Sequence, residues 1–287
     1  MKITMDQKNF SRYGEDKYNK IVEYGFDAVC WAMCDTIYSS LYTKPEEEMD
    51  PYLLSEREKA EKAGLKFSHC HGPWRVPWPD ETEEGLNQKI KDTKRAIHNT
   101  KVLGAEYCVV HPFLPCGINE INDSEKSKIS FETNVRVMKE LTEFAAENNV
   151  ILCFENMPML NFSVAKPADI VKVVEAVNHP NCQVCLDTGH ANIYNELTID
   201  SCVKTTAEYL KVLHVHDNFY NMDLHLFPTQ GNTDWASFSK ALKEIKFDGL
   251  FELEISPKQQ LPEHLYTMVI KLLKGIADHV ISLADEN

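Results

Sequence analysis

A chain of 287 residues is long enough to bury one large core, and α/β barrels reach this size as a single domain. Hydrophobic content of 43% with 26% charged residues is ordinary for a soluble globular protein and excludes fibrous and disordered classes. A net charge of −14 disfavours nucleic acid or an anionic membrane as partner, because the lysines and arginines are spread along helical stretches such as NQKIKDTKRAIHNTKVLG.

In chain order, short apolar runs alternate with amphipathic stretches. The strands read MKITM, FDAVCWAM, LKFSHCH, AEYCVVH, VILCFEN, CQVCLD, VLHVHD and LFELEIS. Between them lie helical segments such as DKYNKIVEYG, SEREKAEKAG, NVRVMKELTEFAAENN and ADIVKVVEAV, several stopped by Gly or Asn-Asn. Eight strands alternating with eight helices imply parallel pairing, and closure into a single (β/α)8 TIM barrel over residues 1–287 is the economical solution. An open doubly wound sheet is the alternative, but the first turn, MDQKNFSRYGED, lacks the glycine-rich phosphate fingerprint. No signal-like segment, arginine-rich start or bilayer-length apolar run is visible, so cytoplasm is the expected compartment. The nine cysteines lie mostly inside apolar runs and read as reduced thiols; Cys182 and Cys185 form a CxxC within a strand, read as two strand residues.

Active sites of such barrels sit at the carboxyl ends of the strands. Strands three to six end on His71, His111, Glu155 and Asp187, with His190 just after. Strand seven ends on His216, followed by a loop with Asp223 and His225, and strand eight ends near Glu254. Taken singly, each has a plain structural reading: Asp187, for example, suits a helix cap. Together, carboxylates converging on one rim repel unless a cation neutralises them, and a mixed His and carboxylate set suits Mn, Zn, Co or Fe. Residues two apart on a strand share a face, which puts His69, His214 and Glu252 one layer below; His214 and Glu252, on neighbouring strands, are expected to pair there.

Nearly the whole chain resembles the xylose isomerase-like TIM-barrel superfamily of sugar isomerases, ketose 3-epimerases, inosose dehydratases and endonuclease IV. The resemblance rests on FEN at 154–156, LDTGHAN at 186–192, HVHDN at 214–218, DLHLFPTQGNTDW at 223–235 and FDGLFELE at 247–254. It implies one divalent ion held by Glu155, Asp187, His216 and Glu254, with His190 at the substrate. Endonuclease IV holds three zinc ions with a larger set, whose ligand types match by adding His71, His111, His190, Asp223 and His225. The expected cofactor is therefore one divalent metal (Mn, Zn, Co or Mg), with up to three as the alternative.

The expected reaction is isomerisation or epimerisation of a sugar or polyol derivative through an enediolate, with Glu155 and Glu254 as base and acid and His190 on a substrate hydroxyl or oxyanion. Trp31, Trp74 and Trp78 are candidate pocket walls, and Arg75 is the one cation nominated for a substrate anion. A dehydratase or lyase would use the same parts. An endonuclease IV-like phosphodiesterase is disfavoured by acidic loops, which offer little beyond Arg75 and Lys166. A non-catalytic metal-binding barrel is the remaining alternative. The expected partner is a small sugar or polyol, with no nucleic acid or membrane; association into a homo-oligomer stays open.

Overall fold

In a computed structural model, which describes residues 1–33, 40–74, 80–220 and 222–286, eight strands follow one another around a closed barrel. They are β1 (Lys2–Asp6), β2 (Ala28–Ala32), β3 (Phe67–His71), β4 (Tyr107–Val110), β5 (Ile151–Glu155), β6 (Cys182–Asp187), β7 (Leu210–Val215) and β8 (Leu250–Leu253). The helices are α1 (Lys17–Glu23), α2 (Ser40–Thr43), α3 (Glu46–Lys62), α4 (Glu83–Leu103), α5 (Ser124–Glu147), α6 (Pro167–Val177), α7 (Thr188–Asn192), α8 (Ile199–Thr206), α9 (Trp235–Glu244) and α10 (Glu263–Ser282). Every strand pairs in parallel with its successor, and β8 closes on β1 through Lys2–Leu250 and Thr4–Glu252. The expected (β/α)8 barrel is the observed fold.

Alternation along each strand explains why closure is stable. Leu152 and Phe154 of β5, Leu186 of β6, Leu213 of β7 and Phe251 of β8 belong to the large core between sheet and helices. The intervening positions point inward: Val109, Cys153, Cys185, Val212 and Leu250 form a separate apolar plug inside the barrel. The next inward residues toward the carboxyl ends are His111, Glu155, Asp187, His214 and Glu252. Cys182 and Cys185 thus fall in different cores, and the cysteines among the described residues are free thiols.

Helix stops follow the sequence signals, with Gly104 and Asn178 in left-handed conformations after α4 and α6. Two helices start well before their periodic apolar stretch. α3 opens after Pro45 with Glu46, Glu47 and Glu48 in its first turn, and α5 opens under Asp123, which accepts from the Glu125 and Lys126 amides. In both cases the cap and first-turn charge set the start, not the apolar stripe.

The carboxyl end of β1 carries a buried acid. Asp6 is only 4% exposed; it accepts a hydrogen bond from the Lys8 amide at 2.9 Å, with Lys8 Nζ 3.3 Å from its other oxygen. Burial, partly opposed by Lys8, pushes its pKa up to about 6. A folded-state pKa above the unfolded value means ionised Asp6 destabilises the fold, fully above pH 6, and the penalty fades as pH falls toward 4. Asp6→Asn keeps the amide acceptor, so the variant is expected to exceed the native chain by about 3 kcal/mol at pH 8 and to come close to it near pH 4. Urea unfolding of both chains across this range checks it; a difference that does not change with pH contradicts it.

Candidate active site

The LDTGHAN turn shows how the chain places two polar groups together. Asp187 ends β6 and caps α7, accepting from the His190 amide at 2.6 Å, so His190 returns over the strand end. Capping uses only one carboxylate oxygen: the other lies 3.1 Å from His216 Nε2. Thr188 Oγ1 donates to the His216 carbonyl at 2.8 Å and accepts from its amide at 3.1 Å, stitching β6 to β7. Gly189 is the residue the packing demands, because a Cβ there would sit 2.0 Å from His216 Cε1.

Asn156, one residue past β5, extends the seam. It accepts from the Asp187 amide at 2.8 Å and donates to the Asp187 carbonyl at 3.0 Å, while its own carbonyl lies 2.8 Å from His190 Nδ1. That contact aims His190 Nε2 at Asp223 Oδ2, 3.3 Å away.

Glu155 is the hub of the cluster. Its Oε2 lies 3.1 Å from His71 Nε2 and 3.0 Å from His111 Nε2, and its Oε1 lies 3.0 Å from His214 Nδ1. Glu254 Oε2 reaches the same His214 nitrogen at 3.3 Å. Ligand atoms of Glu155, Asp187, His214 and Glu254 all fall within 4.8 Å of one another, as do those of His190, His216, Asp223 and His225. Of the set expected from the sequence, Glu155, Asp187 and Glu254 fall in the first group and His216 in the second, its Nε2 3.1 Å from Asp187 Oδ2. His214 joins the two glutamates and Asp187, while His216 lies one residue beyond β7, 3.6 Å from Asp223 Oδ1, with its ring stacked on His225 at 4.0 Å. In the strand register His214 pairs with Asp187 on one side and Glu252 on the other. Asp187, touching His216 and grouped with His214, lies between the two clusters.

The layer below is built as alternation suggests. His214 Nε2 lies 3.2 Å from Glu252 Oε2, the same oxygen that holds His69 Nε2 in a short hydrogen bond, and Cys30 Sγ donates to Glu252 Oε1.

This much buried carboxylate needs positive charge. Burial raises the Glu155 pKa, but His214 and His111 outweigh it and hold the group well below the usual carboxylate range. Burial lowers His190 and His225, yet Asp187, Asp223 and the glutamates dominate and push them up to about 10 and about 9. His111, where burial wins, falls to about 4. In this cluster Glu254 Oε2, His111 Nδ1, His214 Nε2 and His216 Nδ1 are buried atoms with no hydrogen-bond partner among the described residues. The donors fit a divalent cation: two ligands each 2.0–2.2 Å from one ion stand about 3.0–3.5 Å apart, and the nitrogen–oxygen distances around His214 Nδ1 are 3.0 and 3.3 Å.

A cavity of about 230 Å³ opens over the cluster, lined by His71, Trp74, His111, Met157, Met159 and His190 among others. Trp74 stands edge-on to His111 at 4.7 Å, at the expected pocket wall. Trp31 does not line it. Its neighbour Cys30 takes the inward position, so Trp31 points out of the barrel and packs on Phe67 and Tyr52. Arg75 and Trp78 lie outside the described residues. A second hollow of about 470 Å³ adjoins Glu254 and His225 on the side of Asp6 and Lys8.

Asp217 escaped the sequence reading. Fully buried, it accepts from the amides of Asn218, Thr229, Gly231 and Thr233, from Thr233 Oγ1 and from Trp235 Nε1. It anchors the loop that carries Asp223 and His225.

The model of xylose isomerase-like TIM barrel proteins matches residues 18–274. The chain belongs to the xylose isomerase-like TIM barrel family. A D-psicose 3-epimerase of Enterocloster bolteae is 24% identical over 246 residues, covering 82% of this chain and 74% of that protein. Among solved structures, a D-tagatose 3-epimerase-like protein superposes with a TM-score of 0.78 at 22% identity, covering 100% of this chain and 99% of the other. The IolI protein with a bound zinc atom gives 0.74 at 19% identity, covering 98% of both chains. The two structural likenesses establish the shared fold. No helix among the described residues is long and apolar enough to cross a membrane.

Proposed function

We propose that this family member is a divalent-metal-dependent isomerase or epimerase of a small sugar or polyol. The observation that carries the reading is the pair of glutamates, buried Glu155 and half-buried Glu254, that reach one imidazole nitrogen from separate strands beneath a cavity of monosaccharide size. The named relatives act in the same direction: a D-psicose 3-epimerase and, at 26% identity over 179 residues, an inosose isomerase of Bacillus subtilis.

In this reading Glu155, Asp187 and Glu254 hold the ion with His216, which lies 3.1 Å from Asp187 Oδ2, and His214 stands beside the two glutamates. When bound, the ion polarises a substrate carbonyl and its neighbouring hydroxyl, which makes the adjoining C–H acidic. The residues then divide the work. One glutamate, ionised at the start, takes the proton from carbon; the other, protonated at the start, delivers its own to the opposite face of the enediolate, which inverts the centre and exchanges the two protonation states. His190, fixed through Nδ1 on the Asn156 carbonyl, presents Nε2 to a substrate hydroxyl. Trp74, Met157 and Met159 offer apolar surface to the C–H faces of a sugar.

The test is a panel of ketoses and polyols incubated in D2O with Mn, Co, Mg or Zn. The expected result is a product epimeric or isomeric with the substrate, carrying deuterium at the altered centre. No turnover across the panel, or product without deuterium, sinks the proposal; loss of water would turn it into a dehydratase. Metal content of chain purified without chelator is expected to be about one ion per chain under this single-ion reading.

A second reading has one observation in its favour, the further donor group formed by His190, His216, Asp223 and His225 together with His71 and His111 on Glu155. Near-complete filling of these groups with zinc would favour a phosphodiesterase, tested by cleavage of abasic duplex DNA. The loops argue against it: Lys166 is committed to Glu196 at 2.5 Å, and the net charge is −14.

A further inference from the structure

Strands β3 to β8 deliver the cluster of histidines and carboxylates at their carboxyl ends, and β1 ends at the same rim on an acid outside it, Asp6. The Lys8 amide fixes Asp6 Oδ1. Oδ2, 3.3 Å from Lys8 Nζ, is a buried atom that meets the ammonium by charge alone, with no hydrogen bond to any described residue. A buried carboxylate oxygen without a donor is costly and calls for a reason. Stability does not supply one, since ionised Asp6 destabilises the fold.

The space in front of Asp6 does supply one. Asp6 and Lys8 wall the hollow of about 470 Å³, while Glu254 and His225 wall both this hollow and the cavity of about 230 Å³ over His71 and His111. A substrate whose reacting carbon lies between Glu155 and Glu254 therefore has its remainder beside a second space, about twice as large as the one a monosaccharide fills. The walls of that space are mixed: Ala32, Leu224 and Ile255 are apolar, and Asp6, Lys8 and Ser256 are polar. Such a mixture suits a sugar ring, whose C–H faces pack on apolar groups and whose hydroxyls both donate and accept. Asp6 and Lys8 offer an acceptor and a donor side by side, which two neighbouring hydroxyls satisfy together. Charge narrows the choice. Among the described residues Lys8 is the one Lys or Arg that lines either space, and Asp6, Glu252 and Glu254 stand around it. An anionic group would meet more carboxylate than ammonium, and an uncharged one avoids that repulsion.

We propose that the hollow walled by Asp6 and Lys8 is a subsite for an uncharged sugar ring, so that the substrate is a glycosylated ketose or polyol whose reacting unit sits over Glu155 and Glu254 and whose second ring donates a hydroxyl to Asp6. The inference rests on the isomerase or epimerase reading for the reacting unit and on the hollow alone for the second ring. Asp6 is then a specificity-determining residue. It touches no reacting atom, and the acceptor left idle in the fold is used when the ring binds, an exchange of stability for recognition.

The experiment compares D-fructose with lactulose and isomaltulose, which carry a second sugar on O4 and O6 of the same ketose, and with fructose 6-phosphate. Native chain and Asp6→Asn are assayed at saturating Mn; the variant keeps the acceptor for the Lys8 amide, so it is expected to fold. Expected is a kcat/KM roughly 10–100-fold higher on a glycosylated ketose than on D-fructose, with most of that ratio lost in Asp6→Asn through KM. Free ketose preferred over both glycosides, a ratio that Asp6→Asn leaves alone, or preference for the 6-phosphate would overturn the subsite. A native chain inactive on every ketose, free or glycosylated, would instead overturn the isomerase or epimerase reading, and binding would then decide the subsite. Calorimetric titration with lactitol and sorbitol, which lack a carbonyl and differ by one galactosyl unit, is expected to show lactitol bound roughly tenfold more tightly and weakened in Asp6→Asn. Equal binding of the two, or binding of neither, would overturn it.

Discussion

Glu155→Gln is expected to abolish most turnover, lowering kcat/KM by roughly 10²–10⁴-fold at saturating metal. Two losses combine. The amide cannot accept a proton from carbon, and it offers one acceptor oxygen where His71, His111 and His214 now share two. Measuring at saturating Mn separates them, because weaker ion binding is repaired by excess ion and the missing base is not. Glu254→Gln sharpens the comparison. If the two glutamates serve opposite faces, one variant still exchanges the substrate proton with solvent from one epimer without inverting it. Unchanged turnover in Glu155→Gln on a confirmed substrate would end the base assignment, whereas a native chain that turns over no substrate would revive the non-catalytic barrel.

Asp217→Asn is expected to cost about 3–5 kcal/mol of stability, because several buried donors lose their acceptor at once. Each carboxylate oxygen receives three donors: Asn218 N, Thr233 N and Thr233 Oγ1 on one, and Thr229 N, Gly231 N and Trp235 Nε1 on the other. An amide in either orientation turns its NH2 toward one of these trios. There is no space to relax at Gly231, whose missing Cβ would lie 2.3 Å from Asp217 Oδ1. The loop from 218 to 234 should open locally before the barrel does, raising amide exchange there and loosening Asp223 and His225. Hydrogen exchange with mass readout checks this. Native-like protection of that loop in the variant would show that Asp217 is not its anchor.

The barrel was readable because its strands mark their inner face with polar residues only near the carboxyl ends. His69 and His71 on β3 and Glu252 and Glu254 around β8 keep step with the pleat, and the structure places them on the inward side. What alternation cannot supply is height. His214 and His216 share a face, and their heights against Asp187 follow from the stagger of β7 against β6, a property of the closed sheet and not of either strand. Trp31 failed for the opposite reason: FDAVCWAM is apolar on both faces, and only the contact of Cys30 with Glu252 shows which side is inside. Asp217 looked like an ordinary loop acid because its donors come from positions 229–235, with no periodicity to announce them.

The seam between β1 and β8 gives the barrel a clasp. Glu252 reaches across 222 residues of chain to Cys30 and 183 to His69, so the layer beneath the site is assembled only after the last strand has docked. Glu254 can meet His214 only once β8 has docked, and no half-barrel could bind the ion in the proposed way. Ion binding would then favour the closed ring over any form with β8 detached, by about 2.7 kcal/mol at a hundredfold excess over Kd. Starved of metal, the chain would open first where its two ends meet.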